Sequence, residues 1–331
     1  MKNNIEEEKK WDVIIIGGGP SGYTAAIYLS RALLSVLVLA GHKAGGQLMN
    51  TTLVENYPGF KDGIMGPDLM LTMEAQAKKF GTEVRYEDVT GVELAGEIKK
   101  VWVGDKEINA KVIIISTGAS SRMLGLGEEK LMGKGVSTCA VCDAAFFKDK
   151  ITTVVGGGDA AMEDAMALSK YASEVYLIHR KGEFRASNIM QDRVKKNPKI
   201  KIIFNSEVVE VNGEEKLHSI KIKNSKVDTG VDPYTTMNVD GLFLAIGHNP
   251  TTELFKGMVD LDDHGFLKTG ITSGNMEMWL NGYPTMTSVQ GVFGCGDVVD
   301  FKYKQAITAA GNGCQAALDA EKFITGKVAG W

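Results

Sequence analysis

The chain contains two copies of one pattern, strand, glycine-rich turn, helix and strand, and this repeat limits the possible folds more than any other feature. The first copy runs from Asp12 to Ala40 and the second from Ile151 to Lys181. In the first copy we predict the helix over Tyr23 to about Leu33 and the second strand over Val36–Leu39. The strands are near-continuous apolar runs, such as Val13 to Ile16, which are typical of a parallel sheet that is buried on both faces. The sequence therefore predicts an α/β fold with two Rossmann-like dinucleotide-binding domains.

The first glycine turn has the spacing G-x-G-x-x-G, formed by Gly17, Gly19 and Gly22. In this pattern the first glycine permits a tight turn, the second lets a pyrophosphate approach the backbone, and the third lets the helix pack closely on the strand. The free N–H groups at the start of the next helix attract phosphate. The turn therefore predicts dinucleotide binding rather than a purely structural role. Since no carboxylate stands in the segment Leu39 to His42, we expect no carboxylate contact with the ribose there.

The second turn begins with Gly156 and Gly158 and has Ala161 in the third position, which is a tolerated variant. Cationic residues follow its second strand, at the place where an NAD-binding domain would carry a carboxylate. Positive charge there suits the 2′-phosphate of NADP, and the alternative is an ordinary solvated basic run. These residues are His179, Arg180, Lys181 and, a little further on, Arg185.

The order of the remaining segments predicts an inserted domain. Apolar runs that end in small residues, Lys111 to Ala119 and Gly241 to Pro250, each close a domain and lead into a crossover. A further strand and glycine turn, Gly291 to Asp297, precedes an amphipathic helix over roughly Gln305 to Thr325. We expect this last part to rejoin the first domain. The predicted boundaries are residues 1–120 and 248–331 for the first domain, and 121–247 for the second.

Two of the four cysteines, Cys139 and Cys142, form a C-x-x-C motif just before the second repeat copy. Such a pair is half of a zinc site, an inert core pair or a redox dithiol. Zinc needs about four ligands, and the sequence has no second cysteine or histidine cluster, so we expect no metal. A dithiol between two dinucleotide sites is the favoured interpretation, although the spacing does not show which cysteine attacks a substrate. Asp143 is a candidate proton donor or acceptor, or alternatively a helix N-cap.

Charge and hydropathy exclude other classes of protein. The formal net charge of −4 gives no sign of binding to nucleic acid or to a membrane surface. No apolar run approaches the roughly 18 residues that would span a bilayer. The segment Met1 to Lys10 is charged and lacks the apolar core of a signal peptide, so we expect a cytoplasmic protein. The single cysteines, Cys295 and Cys314, are expected to be small buried apolar residues.

Taken together, these motifs resemble the low-molecular-weight thioredoxin reductases of bacteria, fungi and plants, from about Trp11 to Ile324. The resemblance implies a three-layer FAD/NAD(P)-binding fold and NADPH-dependent reduction of thioredoxin through FAD and a Cys139–Cys142 disulfide. It also implies a homodimer and a rotation of one domain against the other, with hinges at Ser120–Arg122 and Gly247–Asn249. The matching stretches are Gly17–Tyr28, Gly45–Leu48, Glu55–Gly59, Ser116–Ser120, Cys139–Asp143, His179–Arg180, Phe184–Ala186, Gly294–Asp297 and Gln305–Thr308.

The same resemblance implies the residues of each site. The catalytic residues are Cys139, Cys142 and Asp143. The residues implied for FAD are Gly17, Gly19, Pro20, Ser21, Gly22, His42, Lys43, Gly46, Gln47, Asn56, Val89, Gly118, Asp297, Lys304, Gln305 and Ala306. The residues implied for NADPH are Gly156, Gly158, Asp159, Ala160, His179, Arg180, Lys181 and Arg185.

The position of the cysteines separates this chain from the glutathione reductase-like enzymes, which carry their redox cysteines in the flavin domain. Here Gly41 to Gly59 contains no cysteine. Two other functions stay open: a related enzyme with another electron donor or acceptor, and a flavin-binding redox sensor without turnover.

The chain also departs from the family pattern. Lys181 replaces the usual arginine and is expected to soften the preference for NADPH, because lysine lacks the bidentate fork of arginine. The stretch between Thr269 and Val289 is longer than the pattern and forms either a packed loop or an exposed patch for a partner. The other departures are Ala144, Ala160 and Lys304.

Overall fold

The structure is a computed structural model, and it describes residues 10–51, 53–271 and 282–326. The described helices are α1 (Pro20–Arg31), α2 (Gly66–Lys79), α3 (Ala140–Asp143), α4 (Asp159–Ser169), α5 (Asn188–Lys196) and α6 (Ala306–Thr325). The described strands are β1 (Trp11–Ile16), β2 (Val36–Leu39), β3 (Leu53–Val54), β4 (Ile64–Met65), β5 (Glu83–Arg85), β6 (Gly91–Glu93), β7 (Lys99–Val103), β8 (Lys106–Ile115), β9 (Ala119–Ser121), β10 (Val136–Ser137), β11 (Ile151–Gly156), β12 (Glu174–Ile178), β13 (Ile200–Ile203), β14 (Ser206–Asn212), β15 (Ser219–Asn224), β16 (Tyr234–Asn238), β17 (Gly241–Ala245), β18 (His248–Pro250) and β19 (Val292–Gly294).

The chain forms two compact units. One unit contains the residues up to Ser120 together with those from Asn249 onward, and the other contains Ser121–His248. The predicted long stretch between Thr269 and Val289 lies mostly outside the described residues, with Met276, Met278 and Trp279 among those not described. Among the described residues, no helix is both long and apolar enough to cross a membrane.

The first unit is built on a seven-stranded sheet with the order β5-β2-β1-β8-β7-β6, in which β19 also pairs with β8. Strands β5, β2, β1, β8 and β19 run parallel to their neighbours, whereas β7 and β6 continue from β8 as an antiparallel meander. All carboxyl ends of the parallel strands therefore lie at one edge of the sheet, where open α/β sheets bind their ligands.

Both faces of this sheet are covered, as the apolar strands predict. Because successive side chains point to opposite faces, Val13 and Ile15 join the cluster under α1 and α6, whereas Ile14 and Ile16 join the cluster on the other face. All four side chains are at most 4% exposed. The burial of these side chains on both sides explains why β1 carries no polar alternation.

Helix α1 begins earlier and ends earlier than the sequence pattern predicts, which placed it over Tyr23 to about Leu33. It starts with Pro20, whose fixed φ suits the first helical position. It ends at Arg31 because Leu33 has a positive φ of 63° that a helix cannot accommodate. Helix α6 packs on α1 through small residues, and a Cβ at Gly313 would lie 2.1 Å from the Ser21 carbonyl oxygen. This close contact places the start of α1 firmly against the body of the unit.

The second unit repeats the same arrangement. Its five-stranded parallel sheet has the order β10-β17-β11-β12-β13, and a three-stranded antiparallel sheet, β14-β15-β16, follows in the chain. Strand β11 leads to a glycine turn and α4, just as β1 leads to a glycine turn and α1. Both sheets thus place their glycine turn next to the point where the strand order reverses, the usual position of a nucleotide.

The chain passes between the units at two places that lie side by side. Strands β9 and β18 pair with each other, and the Ser120 hydroxyl contacts the Asn249 carbonyl oxygen at 3.4 Å. Each predicted hinge, Ser120–Arg122 and Gly247–Asn249, overlaps one of these strands by two residues. The predicted division into an FAD-binding and an NADPH-binding domain stays a prediction at this point.

Candidate active site

The first glycine turn leaves an open position for a phosphate. A Cβ at Gly17, which has a φ of +116°, would lie 2.1 Å from the Ser116 carbonyl oxygen, and one at Gly22 would lie 2.0 Å from the Gly17 oxygen. A Cβ at Gly19, in contrast, would meet no atom within 4 Å. Gly19 is also the N-cap of α1, so the free N–H groups of the first helical turn face this open space. The turn therefore fits a pyrophosphate group.

Replacing Gly17 with alanine is expected to lower the free energy of unfolding by about 2–5 kcal/mol, since it adds both a steric clash and strain at positive φ. The variant should also lose bound flavin during purification. Gly19→Ala is the matched control. Its φ of −88° suits alanine, so it should lose flavin affinity while its stability changes by less than about 1 kcal/mol. Urea denaturation and the flavin absorbance per chain measure both effects. Equal destabilisation of the two variants would contradict the assignment.

Apart from Asn56, the other residues implied for the flavin follow the carboxyl ends of parallel strands of the first sheet, on loops, in short 3-10 helices or at the starts of α1 and α6. The loop after β2 is joined to the turn by the Gly45 N–H, which donates to the Gly18 oxygen at 2.9 Å. Gln47 donates to the Ala119 oxygen at 3.2 Å. Asn56 lies between β3 and β4 and donates to the Gln305 side chain at 3.3 Å. The remaining members of this edge are His42, Lys43, Gly46, Val89, Gly118, Asp297, Lys304 and Ala306.

A buried polar cluster packs against the first glycine turn. The hydroxyl groups of Ser21 and Ser116 lie 2.7 Å apart, and both contact the thiol of Cys295. Burial raises the pKa of that thiol to about 12, so it stays neutral. Cys295 is buried, as predicted. The other single cysteine, Cys314, is only half-buried and hydrogen-bonds with Tyr28, which the sequence did not predict.

Asp297 lies three residues after the end of β19, in a short 3-10 helix, and carries a titratable carboxyl group at the predicted flavin edge. Burial, with added repulsion from Asp300, raises the pKa of Asp297 to about 6, and Lys304 opposes this rise. Asp300 itself accepts backbone N–H groups from the following loop, including that of Lys304 at 3.0 Å. The loop therefore fixes Lys304 at a positive φ of 49°. Asp297 and Lys304 thus bring opposite charges to this edge, and the Lys304 ammonium donates to the Phe301 carbonyl oxygen.

In the second unit, His179 lies beneath the glycine turn rather than among the exposed cations. Its side chain is 5% exposed, and a Cβ at Gly157 would lie 2.2 Å from the imidazole ring. Burial lowers the pKa of His179, and the neighbouring cations lower it further. The ring also packs against Phe184 with centroids 5.5 Å apart. His179 therefore acts as a neutral support for the turn, while Arg180, Lys181 and Arg185 are exposed.

Asp159 holds the loop that carries the exposed cations against the second glycine turn. Its carboxylate accepts the Ser187 N–H at 2.9 Å and the Ser187 hydroxyl at 2.7 Å. The Arg185 N–H donates to the Gly157 oxygen at 2.8 Å. Gly158 is as open as Gly19, since a Cβ there would meet no atom within 4 Å. Ser187 is a residue that sequence reasoning missed, because its partner lies on another helix. The loop and the turn together present an open backbone position beside three exposed cations.

The C-x-x-C motif forms a disulfide between Cys139 and Cys142, with their Cα atoms 5.3 Å apart. Cys139 is the N-cap of α3, and its sulfur accepts the Cys142 N–H at 3.2 Å. Val141, between the two cysteines, is 64% exposed. The outer side of Cys139–Cys142, which we call the redox segment, is thus exposed to solvent within the second unit. A disulfide in this pair agrees with the predicted redox role.

Asp143 lies in an apolar setting next to Cys142. Its carboxylate accepts the Ser137 hydroxyl at 2.6 Å, while its second oxygen is buried without a hydrogen-bond partner among the described residues. Burial raises the pKa of Asp143, and the bond from Ser137 opposes the rise. Asp143 also occupies the N-cap position of a short 3-10 helix, Ala144–Phe147, but its side chain accepts no N–H group there. The position suits a group that gains and loses a proton.

The fold and this site define a class of protein that comparison with known families confirms. The chain matches the family model of pyridine nucleotide-disulphide oxidoreductases over residues 11–313, and it belongs to that family. Within the family it belongs to the low-molecular-weight thioredoxin reductases. It is 52% identical to a thioredoxin reductase of Streptomyces coelicolor over 95% of this chain and 94% of the relative. It is 46% identical to thioredoxin reductase 1 of Saccharomyces cerevisiae, over 95% and 98% of the two chains.

Solved structures agree with these relatives. The crystal structure of thioredoxin reductase from Streptococcus pyogenes matches with a TM-score of 0.85 at 38% identity, covering 96% of this chain and 99% of that chain. The predicted α/β fold with two dinucleotide-binding domains is thereby confirmed. The chain is an oxidoreductase that uses a flavin and a pyridine nucleotide.

Proposed function

We propose that the chain catalyses the NADPH-dependent reduction of thioredoxin, with FAD bound by the first unit and NADPH by the second. The observation that carries the proposal is the Cys139–Cys142 disulfide, which lies in the same unit as the glycine turn with its cationic loop. When bound, FAD supplies a two-electron carrier between NADPH and this disulfide. The overall reaction consumes NADPH, one proton and a thioredoxin disulfide, and it yields NADP⁺ and a thioredoxin dithiol.

The chain's own residues perform the thiol chemistry. Two electrons break the Cys139–Cys142 bond and leave one thiol and one thiolate, and the proton of that thiol passes through Asp143. One cysteine thiolate then attacks a sulfur of the thioredoxin disulfide and forms a mixed disulfide, releasing a thioredoxin thiolate. The other cysteine then loses its proton, and its sulfur attacks the enzyme sulfur of the mixed disulfide. The Cys139–Cys142 bond is restored, the bond to thioredoxin breaks, and the two thioredoxin thiolates take up protons to give the dithiol. Asp143 suits the proton transfer because its raised pKa lets it hold a proton at higher pH than an exposed aspartate.

The choice of NADPH rests on the exposed cations of the second unit. Arg180, Lys181 and Arg185 are exposed next to the open turn. Changing Arg180 and Lys181 together to alanine should lower kcat/KM for NADPH by about 10²-fold and leave NADH almost unchanged, because only NADPH carries the 2′-phosphate. Lys195→Ala, which removes an exposed cation from α5, is the control and should change neither value. If kcat/KM falls equally for NADPH and NADH, these cations do not recognise the 2′-phosphate.

Two measurements on the unchanged protein test the function itself. Anaerobic titration with NADPH should bleach the visible flavin absorbance at a much lower concentration than NADH does. Adding an oxidised thioredoxin should then restore the absorbance, with one equivalent of thioredoxin dithiol formed per NADPH consumed. A protein that bleaches but is not reoxidised by thioredoxin would be an oxidoreductase for another acceptor, and one that never bleaches would not be this enzyme.

The proposal includes domain rotation, assembly into a homodimer and a cytoplasmic location. The two units rotate against each other between the half-reactions, with β9 and β18 as the hinge, so that the pair and the nucleotide meet the flavin in turn. The enzyme acts as a homodimer, with thioredoxin as its protein partner and no nucleic acid or membrane involved. The cytoplasm stays the predicted location.

A further inference from the structure

The side chain of Asp164 contacts the redox segment although it belongs to a different helix. Helix α4 begins at the second glycine turn, and Asp164 lies in its second turn. The carboxyl group accepts a hydrogen bond from the backbone N–H of Ala140, the residue directly after Cys139. Ala140 is 0% exposed and belongs to the same apolar cluster as Ala161 and Ala165 of α4. The contact is therefore part of a packed interface between α3 and α4.

Two N–H groups of the redox segment have separate acceptors. The Cys142 N–H donates to the Cys139 sulfur at 3.2 Å, whereas the Ala140 N–H donates to Asp164. Burial raises the pKa of the Asp164 carboxyl to about 7. The group is thus largely ionised where an unperturbed cysteine thiol ionises, at about pH 8.5. A negative charge bonded to the N–H of the residue after Cys139 opposes a second negative charge on the Cys139 sulfur.

Few other charged groups lie near the contact between Asp164 and Ala140. Glu163 stands beside it on α4 and repels it, and Asp143 of α3 is bonded to Ser137. Strands β11 and β17 and the turn after α3 carry no titratable side chain. The remaining titratable residues on elements packed against α4 are Glu174, Tyr176, Asp192, Arg193, Lys195, Lys196 and Lys201.

We propose that Asp164 is a positioning residue for the redox pair, fixing the segment on α4 through Ala140 and, by its charge, disfavouring the Cys139 thiolate in the reduced enzyme. This inference rests on the redox role proposed for Cys139 and Cys142. Asp164 therefore links the cysteine pair to α4, the helix that begins at the second glycine turn. Cys139 is then the thiol of the reduced pair, so its proton must leave before Cys139 attacks a disulfide.

The test is the pH profile of alkylation in the full-length enzyme, reduced with dithiothreitol and freed of excess reductant. The thiolate displaces iodide from iodoacetamide, so the rate follows the thiolate fraction, and mass spectrometry reports Cys139 and Cys142 separately. Asp164→Asn keeps an acceptor for Ala140 but loses the charge, and it should shift the Cys139 midpoint down by on the order of one pH unit. Asp192→Asn, which removes an exposed acid from α5, should leave the midpoint unchanged. Equal midpoints in these two variants would overturn the proposal.

Two additions separate the roles of charge and position. Asp164→Ala should show the same shift, and its kcat should fall several-fold below that of Asp164→Asn because Ala140 loses its acceptor. If the variants do not fold, hydrogen exchange of the unchanged enzyme decides. The Ala140 amide should exchange at least about 10-fold more slowly than its intrinsic rate, and unprotected exchange would overturn the proposal. Since dithiothreitol reduces the pair without NADPH or flavin, failure here is distinguishable from failure of the proposed function.

Discussion

The Cys142→Ser variant is expected to reduce thioredoxin at least about 10³-fold more slowly than the unchanged enzyme. A serine hydroxyl neither forms a disulfide with Cys139 nor stores the electron pair, so the route from the flavin to thioredoxin is interrupted. NADPH should nevertheless bleach the flavin at a rate close to that of the unchanged enzyme, because that step uses neither sulfur. Stopped-flow absorbance measures the reduction of the flavin by NADPH. Thioredoxin-dependent oxidation of NADPH measures the complete catalytic cycle.

Cys314→Ser is the matched control for this variant. It also replaces one thiol with a hydroxyl, but Cys314 lies outside the disulfide, and the variant should retain turnover within about 2-fold. Thioredoxin reduction at full rate by Cys142→Ser would refute the disulfide route. A parallel loss in both variants would indicate general sensitivity to thiol replacement.

The Asp143→Asn variant should lower kcat by about 10²–10⁴-fold while increasing stability at alkaline pH. The loss of rate follows because the amide neither accepts nor donates the proton of the cysteine pair. The alkaline decline in rate that reports Asp143 deprotonation should disappear from the pH profile. A role in packing alone would instead lower stability and leave the shape of the profile unchanged.

The gain in stability follows from the raised pKa of Asp143. A folded-state pKa above the unfolded value means that the protonated carboxyl favours folding. This contribution is fully present below the unfolded pKa, about 3.9, and is lost as the pH rises through the folded pKa. Asparagine stays neutral, so the variant should be more stable than the unchanged enzyme at about pH 8, and the difference should narrow on acidification. Urea denaturation measures it, with Asp192→Asn as control; a less stable variant at alkaline pH would contradict the assignment.

The parts of the fold that were predicted correctly are those with a local signal. Strand β2, Val36–Leu39, was predicted to the residue, because a continuous apolar run ends at polar or small residues on both sides. The glycine turns and the helices after them were found for the same reason. The start of α1 was missed by three residues, since apolar periodicity begins at Tyr23 whereas backbone geometry lets Pro20 begin the helix.

The parts of the site that were missed depend on contacts between distant segments. Nothing in the sequence near Asp164 indicates that it binds the Ala140 N–H, and nothing near Ser187 indicates its bond to Asp159. His179 stands in a basic run, yet the fold turns its ring inward under Gly157. Spacing along the chain identifies which residues are available, but only the packing of helices on the sheet determines which of them meet.

The pairing of β9 with β18 means that the inserted unit leaves and rejoins its host at neighbouring points. In the first unit, Ser120 and Asn249 already touch. In the second unit, the Arg122 N–H donates to the Gly247 oxygen at 2.9 Å. Joining either pair of ends would close only a very short loop, for which the entropic cost of closure is small. Each nucleotide-binding half could therefore be produced as a separate polypeptide, so that flavin affinity and pyridine-nucleotide affinity are measured in isolation.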